Sequence, residues 1–123
     1  MEEGNFIYIT IITIQILLGI FFLMTGFNIA SGKMAEEFKR FGFPSFFNIL
    51  TGSFEIIGAI GMIIGIWVPV GALIAGFILG GTMLVAAFTL IVIAKDAFAK
   101  AIPSIVLGLI SLFIAYYHFV YSI

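Results

Sequence analysis

The stretch "FEIIGAIGMIIGIWVPVGALIAGFIL", Phe54 to Leu79, holds two apolar runs separated by a short turn. Pro69 cannot continue a preceding helix and Gly71 relaxes the backbone, so the chain is expected to reverse between them. Each run extends outward to the roughly 20 apolar residues that a helix needs to cross a bilayer. The stretch therefore predicts a hairpin of two antiparallel membrane helices.

The whole chain has the composition of a membrane protein, with 63% hydrophobic and 9% charged residues. It contains no cysteine, which excludes disulfides, thiol redox chemistry and thiolate-held metal sites. The net charge of −1 offers no basic surface for nucleic acid. The continuous apolar runs also lack the alternation typical of membrane barrel strands. We expect helices, no metal site and no nucleic-acid partner.

Two further apolar runs flank the hairpin, which predicts an all-α, polytopic bundle of four transmembrane helices. We expect one transmembrane domain, residues 1–123, with spans at about 6–30, 45–67, 70–94 and 102–121. Pro44 and Pro103 suit the first turns of the second and fourth spans. The first run is too long for the core of a signal peptide and has no basic residues before it, so we expect it to be retained.

All five basic residues lie in the two predicted loops, 31–44 and 95–101. They are Lys33, Lys39, Arg40, Lys95 and Lys100. Cytoplasmic loops carry an excess of Lys and Arg, so the sequence predicts that these loops are cytoplasmic and that both termini lie outside.

Small residues recur in each span at steps of three and four, which places them on one helical face. Such residues mark the faces where helices meet in lipid. The glycines expected at helix contacts are Gly19, Gly26, Gly52, Gly58, Gly76, Gly80 and Gly108.

Glu55 shares a helical face with Asn48, Gly52 and Ala59, so we expect it to point into the bundle. It lies about 15 Å along its span, near the bilayer centre. A charge there costs several kcal/mol, with estimates from ~3 to more than ~10. Glu55 must therefore be protonated, paired or facing a wet cavity.

No Lys or Arg occurs at the expected depth of Glu55, so its partners must be neutral side chains such as Gln15, Thr25 or Asn28. Two interpretations stay open: a hydrogen-bonded tie between helices, or a ligand-binding or proton-carrying site. We favour the second, because intramembrane acids usually serve function. The predicted site comprises Glu55, Asn48, Gln15 and Asn28, and no catalytic group is predicted.

Two other groups of residues have simpler interpretations. His118, in "YYHFVY", and Trp67 are expected at the membrane interface, where amphipathic rings collect. Met34, Phe38 and Phe41 fall at i, i+4 and i+7 in the first loop. They predict either a short helix lying on the cytoplasmic membrane surface or a solvated connection with one apolar side.

The residues "LLGIFFLMTGFNIASGKM", "FKRFGFP" and "GSFEIIGAIGMIIGIWVPVGA" resemble the DoxX and DoxX-like membrane proteins. Phe-x-x-x-Gly-x-Pro followed by Gly-x-x-Glu is the most specific part of this resemblance. The matching residues are Gly19, Gly26, Lys33, Phe38, Gly42, Pro44, Gly52, Glu55, Gly58 and Gly65. Lys33 stands later than the lysine of the family, so no role is carried over to it.

The resemblance implies a four-helix protein of the prokaryotic plasma membrane that is associated with quinone and redox metabolism. Relatives include a subunit of a thiosulfate:quinone oxidoreductase. We therefore favour an accessory subunit that binds a quinone or lipid beside Glu55, with electron transfer left to a partner protein. The alternative is a small proton-coupled exporter of cationic or apolar compounds, working as a homodimer.

Overall fold

The computed structural model describes residues 2–122, which form helices and no strand. Four long helices, one short helix and one π-helical turn follow each other along the chain. Their bounds are α1 Glu2–Ala30, α2 Ala35–Arg40, α3 Phe46–Ile64, α4 Pro69–Phe88, the π-helical turn Thr89–Ile93 and α5 Phe98–Tyr121. The predicted all-α class is confirmed.

Within residues 2–122, four segments are long and apolar enough to cross a bilayer. They are Gly4–Ala30, Phe46–Ile64, Pro69–Ile93 and Phe98–Tyr121. The 19 residues of α3 span about 28 Å at ~1.5 Å per residue, close to the ~30 Å thickness of a hydrocarbon core. The prediction of four membrane-spanning helices is confirmed.

The fourth span begins earlier than the sequence predicts. We expected a start at Ile102, whereas α5 begins at Phe98 and contains Pro103 inside it. Phe98 to Ala101 is rich in the good helix formers Ala and Lys, so a helical turn forms before the proline despite the hydrogen bond that Pro103 cannot donate. The predicted loop 95–101 is correspondingly shorter, and α2 interrupts the predicted loop 31–44.

The long helices pack in the order α1, α3, α4, α5, while α1 and α5 contact each other at few points. α1 lies antiparallel along α3, and α4 lies antiparallel along α5. We call the end of the bundle that carries α2 and residues 94–97 the charged end. The end that carries the α3–α4 turn, residues 65–68, is the hairpin end. The bundle therefore consists of two helix pairs.

Glycines bring the helices of each pair into backbone contact. A Cβ on Gly52 of α3 would lie 2.6 Å from the carbonyl oxygen of Gly26 in α1. A Cβ on Gly76 of α4 would lie 2.6 Å from the carbonyl oxygen of Ser111 in α5. Close approaches to a neighbouring helix occur at all seven of the glycines expected there: Gly19, Gly26, Gly52, Gly58, Gly76, Gly80 and Gly108.

The two pairs are joined mainly toward the hairpin end. The glycine contacts between α3 and α4 pair Gly58 with Leu79, Gly61 with Ala75 and Gly65 with Ala72. A fully buried apolar core fills this half of the bundle, with Phe22, Met62, Leu79 and Ile114 contributed by α1, α3, α4 and α5 in turn. Toward the charged end α3 and α4 diverge, which leaves a cavity between them.

Replacing Gly52 by Ala tests the contact between α1 and α3. The added Cβ collides with backbone atoms of α1, which cannot move aside as a flexible side chain could, so we expect destabilisation by about 1–3 kcal/mol. Gly81→Ala is the matched control, because a Cβ there has nothing within 4 Å. Unfolding midpoints in detergent micelles measure both variants. An equal midpoint for the two would contradict the close contact.

Candidate functional site

A cavity of about 540 Å³ lies between α3 and α4 in the half of the bundle nearest the charged end. Its walls are mostly aromatic and aliphatic, including Phe47 and Phe54 from α3 and Met83 from α4. The volume falls in the usual range of small-molecule sites, ~300 to ~1,000 Å³. The divergence of α3 and α4 therefore creates a space that can hold a small ligand.

Glu55 is one of the residues that line this cavity, and it lies near the middle of α3. It is nine residues beyond the start of α3, or about 14 Å at ~1.5 Å per residue. Its side chain lines the cavity although only 2% of the residue is exposed. No Lys or Arg lines the cavity within residues 2–122. The sequence-based expectation that Glu55 points into the bundle agrees with this position.

The hydroxyl of Thr25 in α1 donates a hydrogen bond to Oε1 of Glu55 at 2.5 Å. The carbonyl oxygen of Phe22 is a second, longer acceptor for the same hydroxyl, at 3.5 Å. When Glu55 is neutral and Thr25 keeps its hydrogen bond to Oε1, the acidic proton sits on the other oxygen, Oε2. That oxygen has no protein partner among the described residues, so a neutral Glu55 has one O–H group free to donate.

Two other hydroxyl groups that line the cavity already donate hydrogen bonds to backbone carbonyl oxygens of their own helix. Thr82 donates to the carbonyl oxygen of Ile78 at 2.7 Å, and Thr89 donates to that of Val85 at 2.9 Å. Toward the cavity both oxygens can only accept. Thr89 also opens the π-helical turn, a distortion that is frequent at functional sites. Thr51 and Ser104 also line the cavity, and neither hydroxyl makes a hydrogen bond within the described residues.

The cavity opens sideways between α3 and α4 into the hydrocarbon region. Phe54 and Val85 line it and are nevertheless 44% and 65% exposed, and Gly81 beside them is exposed as well. An apolar molecule dissolved in the bilayer can therefore approach Glu55 without passing through water.

Residues 31–44, which we call the strap, cover the cavity at the charged end. Met34, Phe38 and Phe41 line the cavity, and Phe38 and Phe41 are half-buried. The short helix offered by one of the two sequence interpretations is therefore present as α2. Its apolar side faces the cavity.

Arg40 joins the strap to the connection between α4 and α5. Its guanidinium donates to both carboxylate oxygens of Asp96, at 3.1 and 2.9 Å, and to Glu37 at 2.9 Å. These hydrogen bonds hold the pKa of Asp96 below its ordinary value, so the pair is charged at neutral pH. Asp96 follows Lys95, whose backbone has a φ of 56° that non-glycine residues rarely adopt.

Gln15 does not meet Glu55 and belongs to a second polar cluster nearer the hairpin end. Its amide donates to the carbonyl oxygen of Met62 at 2.9 Å, which leaves its Oε1 to accept from Nε2–H of His118 at 2.7 Å. When the His118 ring is neutral, its Nδ1 then accepts from the hydroxyl of Ser122 at 3.1 Å. The cluster ties α1, α3 and α5 together.

The prediction that His118 lies in the membrane interface is wrong, because only 7% of the residue is exposed. Ser111 and Ala115 are buried on the same face of α5, and His118 continues their spacing by three residues. That periodicity was the signal in the sequence that could have identified the cluster.

The two predicted asparagines also lie outside the cavity lining. Asn48 is 5% exposed on the Glu55 face of α3, and its Oδ1 has no hydrogen-bond partner within residues 2–122. Asn28 is exposed, and its backbone carbonyl accepts from Ser31 and Lys33 where α1 ends. Of the four predicted site residues, only Glu55 lines the cavity.

Four apolar helices around a cavity that ends at a buried carboxyl group define a small polytopic membrane protein. The sequence profile of the DoxX-like family matches residues 13–114. The chain belongs to the DoxX-like family, so the resemblance seen in its sequence is confirmed. Among curated proteins and solved structures no significant match is found.

Replacing Gln15 by Leu tests the second polar cluster. The carbonyl of Met62 and the N–H of His118 both lose their buried partner, so we expect a loss of about 1–2 kcal/mol in the free energy of unfolding. Thr13→Val is the control, since the exposed Thr13 hydroxyl bonds only within its own helix. Thermal unfolding in micelles measures both, and a smaller effect for Gln15→Leu than for Thr13→Val would refute the tie.

Proposed function

We propose that this DoxX-like protein is an accessory membrane subunit that binds a small apolar molecule with a carbonyl-bearing head, of which a quinone is the representative class. The observation that supports the proposal is the setting of Glu55: it is among the residues that line the cavity, no Lys or Arg lines the cavity with it, and within residues 2–122 its one side-chain hydrogen bond is to Oε1. A neutral Glu55 donates from Oε2 to the ligand carbonyl.

The shape of the cavity supports a ligand of this class. A planar head fits between the aromatic walls that include Phe47 and Phe54, and an apolar tail leaves through the sideways opening beside Val85. The link to quinone and redox metabolism rests on the family resemblance. In this proposal the chain binds and orients the molecule, and a partner protein carries out the electron transfer.

Two substitutions at Glu55 test whether ligand binding needs a hydrogen-bond donor at this position or an ionisable carboxyl group. Glu55→Gln keeps an acceptor for Thr25 and a donor toward the cavity, whereas Glu55→Leu removes both. We expect a short-chain quinone to stabilise the wild type and Glu55→Gln alike, by about 2.7 kcal/mol at 100 times the dissociation constant. Glu55→Leu should lose this shift. Thermal unfolding with and without the quinone measures all three proteins.

Gln15→Leu is the control for this experiment, because it lies outside the cavity and should keep the full ligand-induced shift. Absence of any quinone-induced shift in the wild type would overturn the proposal. A different result points to the exporter: stabilisation by an apolar cation such as tetraphenylphosphonium, lost in Glu55→Gln, requires an ionised Glu55.

We also propose that the charged end faces the cytoplasm of a prokaryotic cell. The proposal rests on the five basic residues at that end and on the positive-inside rule. A reporter that is active only in the cytoplasm, fused after the last residue, should be inactive, whereas a reporter inserted in loop 31–44 should be active. The opposite pattern would reverse the orientation.

A further inference from the structure

We propose that the strap is a lid over the charged end of the cavity, held shut by the ion pair between Arg40 and Asp96, and that opening this pair admits water to Glu55. This inference rests on the proposed function only in treating the cavity as the ligand site. It assigns a role to a cluster of charges that ligand binding does not use.

The ion pair joins the two walls of the cavity. Arg40 belongs to the strap, which supplies the aromatic cover, and Asp96 follows the π-helical turn, whose Thr89 and Leu90 line the opposite wall. Both carboxylate oxygens of Asp96 accept from the same guanidinium. This two-point geometry fixes the orientation of the strap as well as its distance from the wall.

The backbone around Lys95 and Asp96 holds the Asp96 carboxylate in position. The N–H of Asp96 reaches back to the carbonyl oxygen of Leu90 at 2.9 Å, which ends the π-helical turn. For this hydrogen bond to form, Lys95 takes a left-handed backbone conformation. The steric energy of that conformation is higher for lysine than it would be for glycine.

Glycines stand at both ends of the rigid part of the strap. Gly32 precedes α2 with a φ of +91°, and Gly42 follows it with a φ of +81°. A Cβ on either glycine would meet nothing within 4 Å, so neither position is held by packing. Two permissive backbone positions on either side of one short helix form a pair of hinges.

The contacts under the strap are apolar and few, which suits a part that moves. The rings of Phe38, Phe41 and Phe43 pack in tilted and edge-to-face contacts with centroids 6.0–6.5 Å apart, and the Phe43 ring centroid lies 5.0 Å from that of Phe47 in α3. Phe43 lies beyond the Gly42 hinge and stays with α3, whereas Phe38 and Phe41 lie between the two hinges and move with α2. The Arg40 side chain, 5.0 Å from the Phe41 ring centroid, belongs to the same moving unit. The ion pair to Asp96 is the polar attachment of this unit to the opposite wall.

The absence of native cysteine permits a direct test by thiol accessibility. Thr51→Cys places a thiol in the cavity between the strap and Glu55. The protein is held in lipid nanodiscs and treated with a water-soluble, membrane-impermeant thiol reagent. We expect Arg40→Gln or Asp96→Asn to raise the reaction rate about two- to fivefold, as loss of one partly exposed ion pair allows. The exchange of both charges, Arg40→Asp with Asp96→Arg, made together with Glu37→Gln so that no carboxylate stands beside the new acid, should restore the slow rate.

Matched controls separate the ion pair from a general change of charge. Lys39→Gln and Glu36→Gln alter charges on the same helix outside both ion pairs of Arg40, and should leave the rate unchanged. Ser111→Cys, which is fully buried, should stay unreactive in every variant and so reports an intact fold. Equal rates with and without the ion pair, or no recovery on charge exchange, would overturn the lid. The reaction contains no quinone, so a failure of quinone binding leaves its outcome untouched.

Discussion

The close approach of α1 and α3 at Gly26 and Gly52 is the contact on which the site depends. It brings the two backbones into close contact and thereby fixes the position of α1 along the axis of α3. Thr25 precedes Gly26, and Glu55 lies one turn beyond Gly52. The hydroxyl therefore reaches the carboxyl at 2.5 Å. A buried acid gains its one protein partner from a helix contact made by residues that have no side chains.

The same contact explains what the sequence could and could not predict. Helical periodicity places Glu55 on the inner face of α3 without any knowledge of the other helices, and the four apolar runs give the spans. The choice of partner among Gln15, Thr25 and Asn28 depends on the height of α1 relative to α3. Gln15 is eleven residues from Gly26, about 16 Å along the helix, and so cannot reach Glu55.

The strap illustrates a second limit of sequence analysis. Its helix was one of two interpretations, because Met34, Phe38 and Phe41 share a face at helical spacing. The ion pair that ties this helix to the connection between α4 and α5 joins Arg40 and Asp96, which are 56 residues apart in the chain. Local patterns carry no information on such a pairing. His118 is different, because the spacing from Ser111 and Ala115 places it on the buried face of α5. Its burial could therefore be predicted from the sequence of α5 alone.

The divergence of α3 and α4 toward one end has a consequence for the lipids around the protein. The sideways opening beside Phe54 and Val85 lies on the strap side of the buried core formed by Phe22, Met62, Leu79 and Ile114. A second apolar groove lies between α1 and α5, and Glu55 is not part of its lining. Under the proposed function, a ligand enters from the monolayer on the side of the strap, and the composition of that monolayer determines which molecules can reach Glu55.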